Sequence, residues 1–175
     1  MDIEEFKIRL LPLKNKFYRL AMRLLYNREE AEDVVQDVFL KVWKMRDGLE
    51  KYRSVEALMM TMTRNMCLDK LKMKKNKAMS LQPEMNVLPQ ENPHEQSEQR
   101  DLVDKVMRMM DQLPRQQRTI IQLRDVEAYS FEEMAEITGY DKNYLRVNLS
   151  RARKKIRESI EKLQQNELQQ RQTNA

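Results

Sequence analysis

The sequence predicts an all-α protein built from two small helical domains joined by a flexible linker. Three observations lead to this prediction. The 175 residues include 14 Met but only 2 Gly, and this Gly-poor composition, rich in Leu, Lys, Glu and Gln, is typical of helices. Apolar residues recur at helical spacing in both halves. Between the halves, residues 77–98 hold three of the five prolines and few large apolar side chains, as expected for a linker.

The predicted N-terminal domain, residues 1–76, contains three helical segments. Pro12 lies inside the first and is expected to kink or split it. The second has an apolar stripe between residues 31 and 42, and the third runs over about 55–70. The side chains expected to face inward from the first and third segments are Phe6, Leu10, Leu13, Phe17, Leu20, Leu24, Leu58, Met62, Met66 and Cys67.

The predicted C-terminal domain, residues 99–163, begins with a helix over about 102–113. Pro114 then starts another helix, because proline suits the first helical turn. Residues 164–175 are polar and rich in Gln. We expect this tail to be a fraying helix end followed by disorder.

A helix-turn-helix is predicted within the C-terminal domain. Ser130 and Glu133 have the spacing of a capping box, which opens a short helix. Gly139 ends that helix, and Asp141 can cap the next one. Two helices joined by a short turn that contains glycine are typical of a helix-turn-helix.

Residue counts exclude most catalytic chemistry. One His and one Cys cannot form a zinc site or a disulfide, and two glycines cannot build a Gly-rich phosphate loop. We therefore expect no metal, no cofactor, no small-molecule substrate and no enzymatic activity. The sequence lacks an apolar run of the roughly 20 residues that a membrane span needs and lacks a signal-peptide core, so a cytoplasmic location is expected.

The last predicted helix is strongly basic. Between Lys142 and Arg157 the sequence has seven basic residues and no acidic one. An α-helix fits the major groove of DNA, where Arg, Lys and Asn donate hydrogen bonds to base edges and phosphates. A solvated charged face on a core helix would show the same bias. The capped helix and glycine turn before it favour DNA binding.

An acidic cluster occupies the start of the second helix. Five acids fall within nine residues without a basic residue between them, and acids do favour a helix N-terminus. That effect accounts for Glu29, Glu30 and Glu32, but it does not explain why Gln36 and Asp37 continue the polar face. Asp33, Gln36 and Asp37 share one face opposite the apolar stripe. Because Leu40 and Trp43 lie off the stripe, an apolar patch rimmed by acids is expected to bind a basic protein surface. Acid–base catalysis or metal binding by these carboxylates is the alternative. It is disfavoured because the cluster contains no His and no second acidic cluster is expected to face it.

A second basic stretch ends the N-terminal domain. From Arg64 to Lys77 there are six bases and one acid, and Tyr52 and Arg53 precede it in a predicted loop. Such a stretch attracts a phosphate backbone, and a tyrosine can stack on a base from an opened strand. A solubilising helix end, where bases also suit the helix dipole, is the alternative.

In chain order, the acidic cluster, the basic stretch from Arg64 and the basic last helix resemble the sigma-70 family, and specifically its small extracytoplasmic-function (ECF) members. AEDVVQDVFLKVW (31–43) is similar to the family's region 2.2, TRNMCLDKLK (63–72) to the end of region 2.4, and residues 113–157 to region 4. The resemblance covers about residues 5–160. It implies a region 2-like domain and a region 4-like helix-turn-helix domain.

The resemblance also implies protein partners. Region 2.2 binds the clamp of the largest subunit of core RNA polymerase, and the matching residues are Asp33, Gln36, Asp37, Phe39 and Trp43. The flap of the second-largest subunit is a further expected contact. Many members are held inactive by an anti-sigma factor, which makes such a protein a candidate partner.

Promoter DNA is the other implied partner. Regions 2.3 and 2.4 melt and recognise the −10 element, and the matching candidates are Tyr52, Arg53, Arg64, Asn65, Asp69, Lys70 and Lys72. Region 4 recognises the −35 element, and its candidates are Lys142, Asn143, Arg146, Val147, Ser150, Arg151 and Lys154. Two positions depart from the family pattern. Where the family usually has a Trp-Leu pair, this sequence has Leu58-Met59. Where the family usually has a glycine before the helix-turn-helix, this sequence has Ala128-Tyr129.

The resemblance implies a protein that binds core RNA polymerase, directs it to a subset of promoters and helps to open the −10 region. The alternative is an autonomous helix-turn-helix regulator whose N-terminal half senses a signal or dimerises. The second basic segment, beside an acidic face, argues against that alternative. A metal-dependent enzyme that uses the acidic cluster would instead show metal-dependent turnover.

Overall fold

The computed structural model describes residues 2–80 and 98–173, and within these ranges it contains helices and turns but no strand. The α-helices, in chain order, are α1 (Ile3–Leu10), α2 (Lys14–Leu25), α3 (Arg28–Lys44), α4 (Val55–Ser80), α5 (Glu98–Asp111), α6 (Arg115–Ile121), α7 (Phe131–Thr138) and α8 (Lys142–Thr173). Helices α1–α4 form one domain and α5–α8 the other. The predicted all-α fold with two domains is confirmed. Most of the predicted linker, residues 81–97, lies outside the described residues.

Local sequence signals place the N-terminal helices. Pro12 splits the first apolar pattern as predicted, because it lies in a 3₁₀ turn, Leu11–Leu13, between α1 and α2. The left-handed Tyr26 (φ 50°) ends α2. Asn27 caps α3, since its side-chain oxygen accepts a hydrogen bond from the Glu30 N–H at 3.0 Å. The buried stripe of α3 is Ala31, Val34, Val35, Val38 and Val42. Phe39, which the sequence pattern also placed on this stripe, is only half-buried.

The buried face of α4 differs from the prediction. Cys67 is buried as expected, but Leu58, Met62 and Met66 are only half-buried. The fully buried side chains are instead Met59, Met60 and Thr63, with Ala57 nearly so. The reason is tertiary, because α4 packs against α2 and α3 on one side and against α7 of the other domain on another. A helix with neighbours on two sides does not show a single apolar stripe.

The C-terminal domain follows its predicted signals closely. Pro114 immediately precedes α6, and the helix then widens into a π-helical turn over Gln122–Val126. Both hydrogen bonds of the capping box are present between Ser130 and Glu133, at 3.1 and 2.7 Å. Gly139 ends α7 in the left-handed region (φ 74°). Asp141 then caps α8 by accepting from the Tyr144 N–H at 2.9 Å.

Two helices run beyond the predicted domain boundaries. Helix α4 continues to Ser80, past residue 76. Helix α8 continues to Thr173, where the sequence led us to expect a fraying end from residue 164. Gln, Glu, Leu and Arg are good helix formers, so nothing local stops this helix. None of the helices in the described ranges has the length and apolarity needed to cross a membrane.

The two domains pack against each other. Helices α2 and α4 of the N-terminal domain contact α6 and α7 of the C-terminal domain. Ion pairs span this boundary, including Arg19 with Glu127 and Arg23 with Asp111. This packing positions the candidate functional surfaces relative to one another.

Candidate nucleic-acid interface

The outer face of α8 gathers all the residues predicted for the −35 element. Leu145, Leu149 and Ala152 turn into the core, where each is at most 3% exposed. The side chains on the other rows of the helix are therefore directed to solvent. The exposed set is Lys142, Asn143, Arg146, Val147, Ser150, Arg151 and Lys154. With Val147 47% exposed, this face carries donors for phosphates and bases together with an apolar contact for a thymine methyl group.

Some cations on α8 already have partners in the folded chain. Lys142 forms an ion pair with Glu132 of α7, and this lysine keeps the pKa of the Glu132 carboxyl below its usual value. The guanidinium of Arg146 lies 5.2 Å from the centre of the Phe131 ring. Arg153 makes a bidentate ion pair with Asp125, at 3.0 and 2.5 Å. Arg153 thus ties α8 to the π-helical turn, whereas Arg146 remains exposed for a ligand.

The acidic face of α3 is also exposed. Asp33, Gln36 and Asp37 all face solvent, as predicted. The two aromatic candidates, Phe39 and Trp43, are half-buried, unlike the acids. Both pack against Phe6, whose ring centre lies 6.1 Å from that of Phe39 and 5.1 Å from that of Trp43.

The apolar part of this face is narrower than the sequence suggested. Leu40 is 56% exposed and is the most accessible apolar side chain beside the acids. Trp43 is covered on one side by α1, which the sequence pattern could not reveal, and Arg46 stacks on it at 4.5 Å from the ring centre.

The loop between α3 and α4 borders an open polar groove of about 540 Å³. Tyr52 and Arg53, both predicted for the −10 element, line this groove. The side chain of Arg53 is 86% exposed. Arg46 and Arg9 line the same groove and were missed from the sequence, since only tertiary packing brings α1 beside this loop.

The α4 candidates divide into two groups. Asn65, Asp69 and Lys72 are exposed, whereas Arg64 and Lys70 are half-buried. The half-burial of Arg64 comes from the other domain: its guanidinium lies 5.5 Å from the centre of the Tyr140 ring.

The described residues contain no group of three or more His, Cys, Asp and Glu side chains arranged to hold a metal ion. The single thiol, Cys67, is buried, and burial raises its pKa to about 12. It therefore remains protonated and unreactive near neutral pH.

Comparison with known families matches both domains. Residues 12–77 match Sigma-70 region 2, and residues 104–156 match Sigma-70, region 4. The first match spans the acidic face, most of the groove lining and the basic part of α4. The second spans the helix-turn-helix and its basic face.

Proteins of similar sequence are named RNA polymerase sigma factors. The chain is 28% identical over 153 residues to the ECF RNA polymerase sigma factor SigE of Mycolicibacterium smegmatis, covering 85% of this chain and 58% of that protein. It is 28% identical over 149 residues to the RNA polymerase sigma factor SigV of Bacillus subtilis, covering 85% and 87%. It is 23% identical over 164 residues to the ECF RNA polymerase sigma factor SigW of Bacillus subtilis, covering 86% of each.

Two solved structures share the fold of this chain. The sigma factor RpoE in complex with the anti-sigma factor NepR from Bartonella quintana superposes with a TM-score of 0.76 at 22% identity, over 91% of this chain and 98% of that one. CnrH in complex with the cytosolic domain of CnrY gives 0.66 at 18% identity, over 91% and 90%. With both conserved regions matched in order and ECF factors among its relatives, the chain belongs to the sigma-70 family, in its ECF group.

Proposed function

We propose that the chain binds core RNA polymerase, directs it to a subset of promoters and helps to open the DNA at the −10 element. The observation that carries this proposal is the presence of two separate basic surfaces, one in each domain, in a chain matched by sigma-70 regions 2 and 4. The chain performs no chemistry in this scheme. The polymerase forms the phosphodiester bonds, and both proteins act in the cytoplasm.

The outer face of α8 is proposed to recognise the −35 element in the major groove. Arg146 and Arg151 are exposed there and can donate bidentate hydrogen bonds to guanine. Lys142 and Lys154, also exposed, are suited to phosphate contacts that fix the register of the helix. These phosphate contacts make binding depend on salt, whereas the base contacts make it depend on sequence.

The groove beside Tyr52 is proposed to accept an unpaired base from the −10 element. A base that leaves the stack is favoured by an aromatic or guanidinium surface to stack on, and by cations that hold the backbone. Tyr52 supplies the ring, and Arg46 and Arg53 supply cations at the same opening, whose lining also includes the carboxylates of Glu5, Glu50 and Glu56. The exposed Asn65 and Lys72 of α4 extend the positively charged, hydrogen-bonding surface along the strand.

The exposed face of α3 is proposed to bind the polymerase clamp. Asp33, Gln36 and Asp37 offer acceptors to basic side chains, and Leu40 gives an apolar centre. Charges at the rim of an interface steer association, and an apolar centre supplies the area that is removed from water. An anti-sigma factor is a further proposed partner, because a structural neighbour, RpoE, was solved with one.

Run-off transcription with core RNA polymerase and fragmented genomic DNA tests this function. Addition of the chain should produce discrete transcripts that core polymerase alone does not make. The transcript starts would also identify the promoters. If the chain does not co-elute with core polymerase but protects a palindromic operator by itself, the autonomous regulator is correct instead.

Asp37→Arg tests the polymerase surface. It replaces an exposed acid by a base opposite a basic partner, and we expect about tenfold weaker binding to core polymerase, measured by fluorescence anisotropy. Asp104→Arg is the matched control, since it makes the same change of charge at an exposed position of α5. Equal loss in both variants would show a general charge effect and refute the assignment of this face.

A further inference from the structure

Phe131, the first residue of α7, brings its ring to the outer face of α8. The guanidinium carbon of Arg146 lies 5.2 Å from the centre of this ring. A guanidinium within about 6 Å of a ring centre is attracted by the negative face of the aromatic system. The ring therefore gives the Arg146 side chain a preferred position, although that side chain is exposed to solvent.

The position of the ring is fixed by the start of α7. The capping box joins the residues on both sides of Phe131, because Ser130 accepts from the Glu133 N–H at 3.1 Å and donates to the Glu133 carboxylate at 2.7 Å. The Phe131 ring is also half-buried and packs against the core. A ring held in this way has far less rotamer freedom than an exposed arginine. The ring therefore positions Arg146, and not the reverse.

A second arginine shares the same ring. The guanidinium of Arg124 lies 5.1 Å from the ring centre, and its Nη1 atom donates to the backbone carbonyl of Tyr129 at 2.7 Å. Arg124 is half-buried in the π-helical turn, whereas Arg146 is exposed on α8. Unlike an ion pair with a carboxylate, contact with a ring leaves the N–H groups of a guanidinium able to donate to a base.

A carboxylate next to the ring is an alternative partner for Arg146. Glu132 forms an ion pair with Lys142, and the charge of Arg146 adds, after the larger effect of Lys142, to the low pKa of the Glu132 carboxyl. Lys142 and Arg146 lie one helical turn apart, so a freed Arg146 could reach the same carboxylate. An arginine paired with Glu132 would spend its donors within the chain. The ring disfavours that arrangement.

We propose that Phe131 is a positioning residue for base recognition, whose ring holds the Arg146 guanidinium where it can donate to a base of the −35 element. The proposal rests on the function proposed above and deepens it, because it concerns how one recognition contact is prepared. Phe131 touches no DNA in this scheme. Loss of the ring should reduce selectivity at one base pair and spare the attraction to phosphates, which depends on charge.

Nitrogen-15 relaxation of arginine Nε–H groups tests the contact in the free chain, because it reports side-chain order on the picosecond to nanosecond timescale. The Arg146 Nε–H should be more ordered than that of Arg151, an exposed arginine on the same helix. Phe131→Leu keeps an apolar side chain but removes the ring, and it should lower the order of Arg146 to that of Arg151. Phe131→Tyr should preserve the order. Equal mobility of the two arginines in the wild-type chain would overturn the proposal.

Competition binding with single-base variants of a −35 fragment tests the effect on recognition. The relevant base is the one whose preference Arg146→Ala relaxes. Phe131→Leu should lower discrimination at that base about threefold, and Phe131→Tyr should retain the wild-type value. Discrimination at other positions should stay unchanged, and circular dichroism checks that both variants are folded. A loss that is uniform over all positions would mean that Phe131 has only a structural role.

A double-mutant cycle completes the test. When Arg146 is already alanine, Phe131→Leu should cause no further loss of discrimination, because the ring acts through the guanidinium. The same threefold loss in that background would overturn the proposal. If the wild-type chain does not distinguish a −35 fragment from unrelated DNA, the proposed function itself fails. Normal promoter recognition with unchanged discrimination in Phe131→Leu would instead overturn the positioning role alone.

Discussion

The two basic surfaces of the chain have similar composition but different surroundings. On α8, the whole predicted set from Lys142 to Lys154 is exposed. On the N-terminal domain, Arg64 stacks on Tyr140 and Arg53 lies near Glu136. The difference teaches that a basic segment in the sequence indicates a ligand but not whether the surface is free to bind it. The α8 surface is fully exposed in the folded chain, whereas on the other surface Arg64 is half-buried against Tyr140 of the C-terminal domain.

The largest expected effect comes from destroying the α8 surface as a whole. Leu149 is 3% exposed, so Leu149→Asp would bury a carboxylate without a partner and destabilise the C-terminal domain by about 4 kcal/mol. Transcription that depends on the −35 element should be lost. Thermal melting by circular dichroism measures the stability. Leu168→Asp is the matched control, because Leu168 lies on the same helix but is 60% exposed; equal destabilisation would contradict the assigned packing.

A smaller effect is expected when one side chain of that surface is shortened. Arg146→Ala should weaken binding to a −35 fragment by about 1–3 kcal/mol if the guanidinium contacts a base, and should relax the preference at one position. Competition binding with single-base variants of the fragment measures both. Lys162→Ala, an exposed change farther along α8, should leave the preference unchanged. Loss of affinity that is uniform over all base variants would place Arg146 on phosphate instead.

Removing an arginine side chain from the N-terminal basic surface should weaken DNA binding less than Arg146→Ala does on α8. Arg64→Ala removes a cation proposed to hold the melted strand, but it also removes the contact with Tyr140 that competes with DNA, so the two effects partly cancel. We expect about 0.5–1 kcal/mol weaker formation of the open complex, measured with a fluorescent adenine analogue in the −10 element. On a template with a pre-opened bubble the defect should shrink. An identical defect on both templates would mean that Arg64 acts outside melting.

The smallest effect concerns the turn between the two surfaces. Ala128 holds a positive φ of 62°, which costs an L-residue free energy that glycine does not pay. Ala128→Gly should therefore raise the free energy of unfolding by about 0.5–1 kcal/mol, after allowance for the greater freedom of glycine in the unfolded chain. The thermal midpoint measures it. Ala135→Gly, within α7, should instead lower the free energy of unfolding. If both variants lower it, the backbone at Ala128 is not strained.

Local signals made much of the fold predictable. The Ser130–Glu133 capping box, the left-handed Gly139 and the Asp141 cap each act within three or four residues, so the sequence alone indicated the helix-turn-helix. The stripe of α3 was equally clear, since that helix buries one side. The buried face of α4 was not predictable from its period, because the helix packs between elements of both domains.

The candidate sites were predictable in type but not in exposure. Spacing indicated that Arg146 and Asp37 face solvent, because each lies opposite an apolar stripe. It could not indicate that Phe6 covers Trp43 or that Arg153 is paired with Asp125. The pair of Arg19 and Glu127 spans 108 residues of sequence, and no pattern in either segment points to the other. Such contacts depend on how the domains meet.

The single tryptophan of the chain, Trp43, has a consequence for how the protein unfolds. It lies in the N-terminal domain against Phe6, so its fluorescence follows the loss of that domain alone, whereas circular dichroism follows the helices of both. Because the buried Glu127 is paired across the boundary, we expect the two signals to change together in a single cooperative transition. In Arg19→Glu the transitions should separate, so that the two halves of the chain behave as independent folding units.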